Sequence, residues 1–347
     1  MRNKFIFCLC SGMFIYLIML SGCSQQESPS MNDLPNTLTI TADLPSEYPG
    51  TINKYKAEWF NVNEKFAVDT FMRHQPTQRE EWAEGPTISY EDSQVLESLT
   101  LRNGSVQGGF SYRQCADEES IEEIELVCEY LRPMRPWEYT GDLVPQMLGT
   151  LEMEEYPTEE DLSFLPYKEA KAQLEETMAA CGMPQVELYF SESHTVEVMN
   201  CNREIYNAAL EESVFSSVQP IDELAESEEH YYFVYHQVQD GIPFTSAVWP
   251  RSTRSEATEN SIVAIVGKEG LIEFSANGLF SLGDSLEECA ILSPQEAVNV
   301  YLEEYTQAIH FENTRITGVE LNYVVVKDGD SYVARPAWML TLETDKT

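Results

Sequence analysis

Helices packed on antiparallel sheets, an α+β fold, are what this sequence predicts, and three features carry the expectation. "HYYFVYHQVQDGIPF" places Tyr231, Phe233 and Tyr235 on one face of a strand and Tyr232, Val234 and His236 on the other, then turns at Asp240-Gly241. "SIVAIVGKEGLIEFSANG" reads as a second hairpin turning through Gly267 to Gly270, and "LNYVVVKDGDSYVARPAWMLTLE" as a third. Two other stretches, "PYKEAKAQLEETMAACGM" and "SPQEAVNVYLEEYTQAI", space their apolar residues for helices. Hairpins in succession imply antiparallel sheet, because parallel neighbours need a crossover between them.

Taken in order, the chain begins with Arg2 and Lys4 before an apolar run from Phe5 to Leu20. That run is short of the ~20 residues a bilayer span needs and matches a secretory leader. It closes on Leu20-Ser21-Gly22-Cys23, which resembles the bacterial lipobox. The resemblance implies that the Cys23 thiol takes a diacylglyceryl group, that the signal peptide 1–22 is cut away, and that acyl chains, palmitate among them, hold the protein to a membrane. An uncleaved anchor with an incidental cysteine is the alternative. Residues 23–36, rich in Ser, Gln, Asn and Pro, read as a lipidated flexible tether.

Residues 37–150 are expected to form an N-terminal α+β domain. Leu38 and Ile40 alternate as in a strand, Phe60, Ala67 and Phe71 predict a helix near Asn63 to Arg73, and Asn103-Gly104 marks a turn. Acidic "CADEESIEEIELVCEYL" reads as a helix, and an acidic linker at 151–165 follows a Pro-rich passage. The C-terminal domain then spans 166–347. Its first helix stripes Ala170, Leu174, Met178 and Cys181 and is stopped by Gly182 and Pro184; its second stripes Ala297, Tyr301, Tyr305 and Ala308 behind a capping box of Ser293 and Glu296. Each is followed by a Val-Glu-Leu strand, at Val186 and Val319, a weak internal repeat. Pro336 places the last strand at a sheet edge or a bulge.

Composition narrows the function. Lys and Arg number 21 against 59 Asp and Glu, a net charge of −38, which speaks against nucleic acid and favours cationic partners or loosely held divalent ions, a solvated surface that keeps a secreted protein soluble being the plainer reading. An apolar fraction of 43% is enough for real cores. Beyond Cys23 the chain has Cys115, Cys128, Cys181, Cys201 and Cys289, an odd set without C-x-x-C. Cys115 and Cys128 could close a short loop worth about 3 kcal/mol; buried thiols are the simpler reading. H-E-x-x-H, G-x-S-x-G and a Gly-rich phosphate loop are all missing, so no cofactor, metal or catalytic residue is assigned. His230 and His236 stand roughly 20 Å apart on one strand face, too far for one ion. "KDGDS" lacks the later acids of a calcium loop and reads as a turn.

"HQVQDGIPF", with Gln237, Gly241, Ile242 and Pro243, resembles the Q-x-x-x-G-[IV]-P segment of PepSY-like and thermolysin-propeptide modules. The later helix, strand and "ARPAW" are similar to the ends of PepSY-type units and of YycH/YycI-type surface regulators. The whole chain looks like the lipoproteins of clostridial-type Gram-positive bacteria. These resemblances imply two helix-plus-meander units in the C-terminal half, and a non-catalytic module on the outer face of the cell membrane that regulates a surface protein, protease or peptide. Tyr231, Phe233, Tyr235, Trp249 and Trp338 are the candidate binding surface, with sheet core as the competing reading. The alternative function is an extracytoplasmic, glycosidase-like hydrolase built from dispersed acids. A solute-binding lipoprotein fits less well, since it needs repeated βαβ units.

Overall fold

The computed structural model describes residues 6–7, 13–19, 37–83, 85–92, 94–102, 108–115, 131, 151–212, 220–245, 260–305, 313–328 and 331–344. Strands β1 (Ile6–Phe7), β2 (Met13–Met19), β3 (Leu38–Ile40) and β4 (Thr51–Trp59) come first. Helix α1 (Glu64–Phe71) leads into β5 (Gln78–Trp82), β6 (Gly85–Glu91), β7 (Leu96–Arg102) and β8 (Gly109–Cys115). Helix α2 (Tyr167–Ala180) leads into β9 (Val186–His194), and α3 (Val196–Glu212) follows at once. The chain continues through β10 (His230–Gln239), β11 (Ile242–Pro243), β12 (Ser261–Gly267), β13 (Gly270–Asn277) and β14 (Phe280–Ala290). Helix α4 (Pro294–Tyr305) precedes the long hairpin of β15 (Thr314–Asp328) and β16 (Ser331–Thr344). The fold is α+β, with mostly antiparallel sheet.

These elements fall into two units. One comprises Met1–Glu58, Val238–Glu259 and Leu282–Thr347; the other comprises Trp59–Gln237 and Asn260–Ser281. The second is built on a sheet ordered β9-β10-β12-β13-β8-β7-β6-β5, every neighbour antiparallel. Helices α1 and α2 bury one side of it: Ala67 and Phe71 of α1 and Ala170, Leu174 and Met178 of α2 share a core with Leu99, Phe110, Phe233 and Phe274. Asn63 caps α1 by accepting from Phe66 N at 3.2 Å, and Gly182, at φ +67°, ends α2 as its position predicts.

This unit contains a helix followed by four antiparallel strands twice over, the second time with α3 inserted between β9 and β10. The first copy is α1 with β5 to β8, and the second is α2 with β9, β10, β12 and β13. The copies join where β8 pairs β13, Tyr112 opposite Phe274 and Phe110 opposite Ala276. Gly109 makes that seam possible: its φ is +147°, and a Cβ there would run into the Ala276 carbonyl.

In the other unit β16 pairs β15 along one side, while its other side meets β4 at Tyr332–Ala334 and β2 at Ala337–Glu343. Beyond β15 lies β3 in parallel, and beyond β4 lies β14. Helix α4 carries the expected capping box: Glu296 N donates to Ser293 Oγ at 3.2 Å, and Ser293 N donates to Glu296 Oε2 at 2.7 Å.

Several expectations are corrected. The units do not follow the division into 37–150 and 166–347, because pairing of β8 with β13 welds the two stretches into one sheet. Residues 151–165 are no open linker: Tyr156 and Leu162 are buried, Ser193 N donates to Pro157 O at 2.8 Å, and Leu162 N donates to Tyr231 Oη at 2.7 Å. One helix-plus-meander copy lies at 64–115, outside the C-terminal half. Pro336 sits between the β4 and β2 pairings of β16, opposite Tyr323 of β15, so β16 is an inner strand interrupted on one side at the proline. Cys23, Cys128, the Asn103-Gly104 turn and the acidic stretch 116–130 lie outside the described residues.

Candidate functional site

Both faces of β10 are buried, so of the two readings of its aromatic residues the sheet core holds and the binding surface does not. Tyr231, Phe233 and Tyr235 lie under α2 in the main core, while Tyr232 and Val234 pack with Ile265 on the opposite face. Burial pushes the Tyr231 and Tyr235 hydroxyls above their ordinary value, and Tyr231 Oη donates to Leu165 O at 2.6 Å. These rings fix the segment before α2. Trp338 is fully buried, its indole N–H donating to Leu292 O at 3.0 Å and its ring edge-on to Tyr48. Trp249 lies outside the described residues.

Gln237, the first residue of the resemblance motif, acts as a clamp. Its Nε2 donates to Phe280 O at 2.8 Å and its Oε1 accepts from Phe280 N at 3.0 Å, so the side chain pairs with that residue as a neighbouring strand would. Asn260 Nδ2 donates to the same Oε1 at 3.1 Å and to Gly278 O, while Asn260 Oδ1 accepts from Gln237 N. Three and four residues on, Asp240 and Gly241 take φ of +55° and +73°, the left-handed pair of a tight hairpin. Glutamine and glycine at that spacing therefore hold a strand end and its turn.

His236, next to the clamp, is buried and stacked on Tyr189 at 4.1 Å; its Nε2 has no hydrogen-bond partner among the described residues. Burial pushes its pKa from 6.5 down to about 4. A histidine held neutral in the fold but basic when unfolded contributes stability that is complete above pH 6.5. That contribution falls away as the pH drops towards 4, about 3 kcal/mol in all. Urea unfolding at pH 7.5 and 4.5 should therefore show a smaller acid loss for His236→Phe than for the parent.

Two buried carboxylates also serve structure. Glu97 accepts from Arg73 N at 3.3 Å, His74 N at 3.1 Å and Tyr112 Oη at 3.3 Å, fastening the end of α1 to the sheet. Glu192 meets His194 Nε2 at 3.0 Å with both side chains fully buried. A cleft of about 640 Å³ at the start of α3 gathers Glu155, Glu160, Asp161, Glu197, Glu226 and Glu229. One of them, Glu229, accepts from Val196 N at 3.0 Å, and no aromatic ring lines the cleft for a sugar to stack on. Among the described residues no three His, Cys, Asp or Glu side chains converge to hold a metal ion.

The site with the geometry of a receptor is a groove of about 720 Å³ between α1 and β5. Val68 of α1 and Ile88 of β6 give it apolar walls, and Asn63, Lys65, Gln78 and Arg79 stand around them. Among the described residues β5 ends the sheet, pairing with β6 alone, and all five of its residues are exposed. At the opposite end, β9 is met by its own chain through the Ser193 N to Pro157 O bond. Arg79 ties the groove together, pairing with Glu64 of α1 and, at 2.9 Å, with Glu81. Trp82, 61% exposed, closes the strand, and Phe66, 55% exposed, stands on α1. An open strand edge beside a helix is the geometry in which extended peptides add to a sheet.

Comparison with known proteins adds to the fold. No protein-family model matches the chain, and no curated protein is significantly similar in sequence. A crystal structure of an uncharacterised protein from Eubacterium rectale ATCC 33656 is similar, with a TM-score of 0.59 at 12% identity, over 90% of this chain and 84% of that one. The likeness shows a shared fold.

Proposed function

We propose that this chain is a lipid-anchored extracytoplasmic binding or regulatory protein that captures an extended peptide segment by adding it to β5. The observation that carries the reading is the fully exposed terminal strand beside the Val68 and Ile88 groove. Backbone hydrogen bonds supply the affinity in such additions, and the groove beside the strand selects side chains. The doubled helix-plus-meander supports a PepSY-like reading of the unit, one copy bearing the open edge. The run before Leu20-Ser21-Gly22-Cys23 supports attachment through Cys23 at the cell membrane of a Gram-positive bacterium. Processing there removes β1 and β2 and leaves Ala337–Glu343 of β16 without that neighbour.

Two variants of the full chain test the reading. Cys23→Ala should carry no label after growth with a radioactive fatty acid, and label retained in it would end the lipid-anchor reading. Val68→Lys, which puts a charge into the groove, should lose at least tenfold in affinity for heptapeptides selected on the parent from a random library, while melting close to the parent temperature. Selected peptides that bind Val68→Lys undiminished would place capture elsewhere.

A further inference from the structure

The two sides of β5 differ in charge, and the difference specifies what it would take up. Arg79 and Glu81 face α1, since Arg79 pairs with Glu64 there and its cross-strand partner Ile88 lies in the core. Around the groove on that side, Glu64 and Glu81 are balanced by Lys65 and Arg79. Glu80 and Trp82 face the other way, opposite Thr87 and Gly85. Glu80 is exposed and enters no ion pair among the described residues, so β5 itself presents on this side an acid and an open indole ring and no basic residue.

Resting on the strand-addition reading, we infer that the captured segment alternates apolar with basic residues. Its apolar side chains lie beside Arg79 on the side of the groove mouth and Val68, and its Lys or Arg side chains lie beside Glu80 and Trp82. A strand added to the outer edge brings same-face side chains within about 5 Å of those on β5. A cation there pairs with Glu80 and rests against the face of Trp82. The net charge of −38 acts in the same sense, drawing basic segments in and repelling acidic ones.

The test uses three synthetic heptapeptides on the full chain in detergent: one alternating Lys and Val, one alternating Glu and Val, and the Lys-Val peptide N-methylated at alternate backbone nitrogens. The Lys-Val peptide should bind at least tenfold tighter than the Glu-Val peptide at low salt. Methylation on the edge that faces β5 should abolish binding, and Glu80→Gln with Trp82→Ala should cut the preference several-fold. Equal binding of the first two peptides, with methylation still blocking the Lys-Val peptide, would overturn the charge inference and leave strand addition standing. Binding that ignores methylation, or no binding by any peptide, would overturn strand addition and the inference with it. A Lys-Val preference unchanged in the double variant would show diffuse attraction by the acidic surface, which also contradicts the assignment to β5.

Discussion

Replacing Gln237 with Leu lowers the stability of its unit by about 4 kcal/mol. The estimate follows from what the change leaves behind. Phe280 N, Phe280 O and one Asn260 N–H lose the amide they meet, all in a buried setting. Each unmet buried group costs about 1 to 3 kcal/mol, and the extra apolar burial of Leu offsets part of the sum. Chemical denaturation measures it directly. Gln237→Glu separates the contributions, since it keeps the acceptor but loses the donor to Phe280 O and buries a charge. It should be at least as unstable at neutral pH as Gln237→Leu. A loss below 1 kcal/mol in Gln237→Leu would mean that the clamp closes without the amide.

Trp338→Ala costs a similar amount, about 3 to 5 kcal/mol, by emptying a site in the core of the other unit. The indole is among the largest fully buried side chains, and its removal also leaves Leu292 O without its donor. The effect should appear in a thermal melt, with peptide capture by the folded fraction unchanged. Capture that fell while the melt stayed put would reinstate Trp338 as a contact residue.

Much of the fold was legible because local chemistry and tertiary structure agree there. Ser293 and Glu296 box the start of α4, Gly182 ends α2, and Asp240-Gly241 turns the β10 hairpin, as residue type and spacing require. Helix α3 was missed for a physical reason. Its asparagines disfavour a helix in isolation, yet in the structure they hold neighbouring chain: Asn200 brackets Leu224, Asn207 brackets Ile221, and Asn202 reaches Leu131 and Glu154. Those partners are distant in sequence.

The candidate site was illegible for a related reason. A period of two shows that a strand has two different faces, but not whether water lies beyond either. For Tyr231, Phe233 and Tyr235 that left a binding surface and a sheet core both open, and α2 covers them. "QREEW" has no apolar alternation because all five residues of β5 are exposed, so the pattern that identifies buried strands is lacking where a partner would bind. The pairing of β8 with β13, which makes β5 a sheet edge at all, joins residues about 160 positions apart.

Amide hydrogen exchange on the full chain, with and without a bound Lys-Val heptapeptide, tests strand capture most directly. The account predicts new protection at outward-facing amides of Gln78–Trp82 and at few others, as expected when a strand is added to that edge. Protection confined to the acidic cleft at Thr195–Val198, or spread evenly over the surface with none on β5, would contradict it.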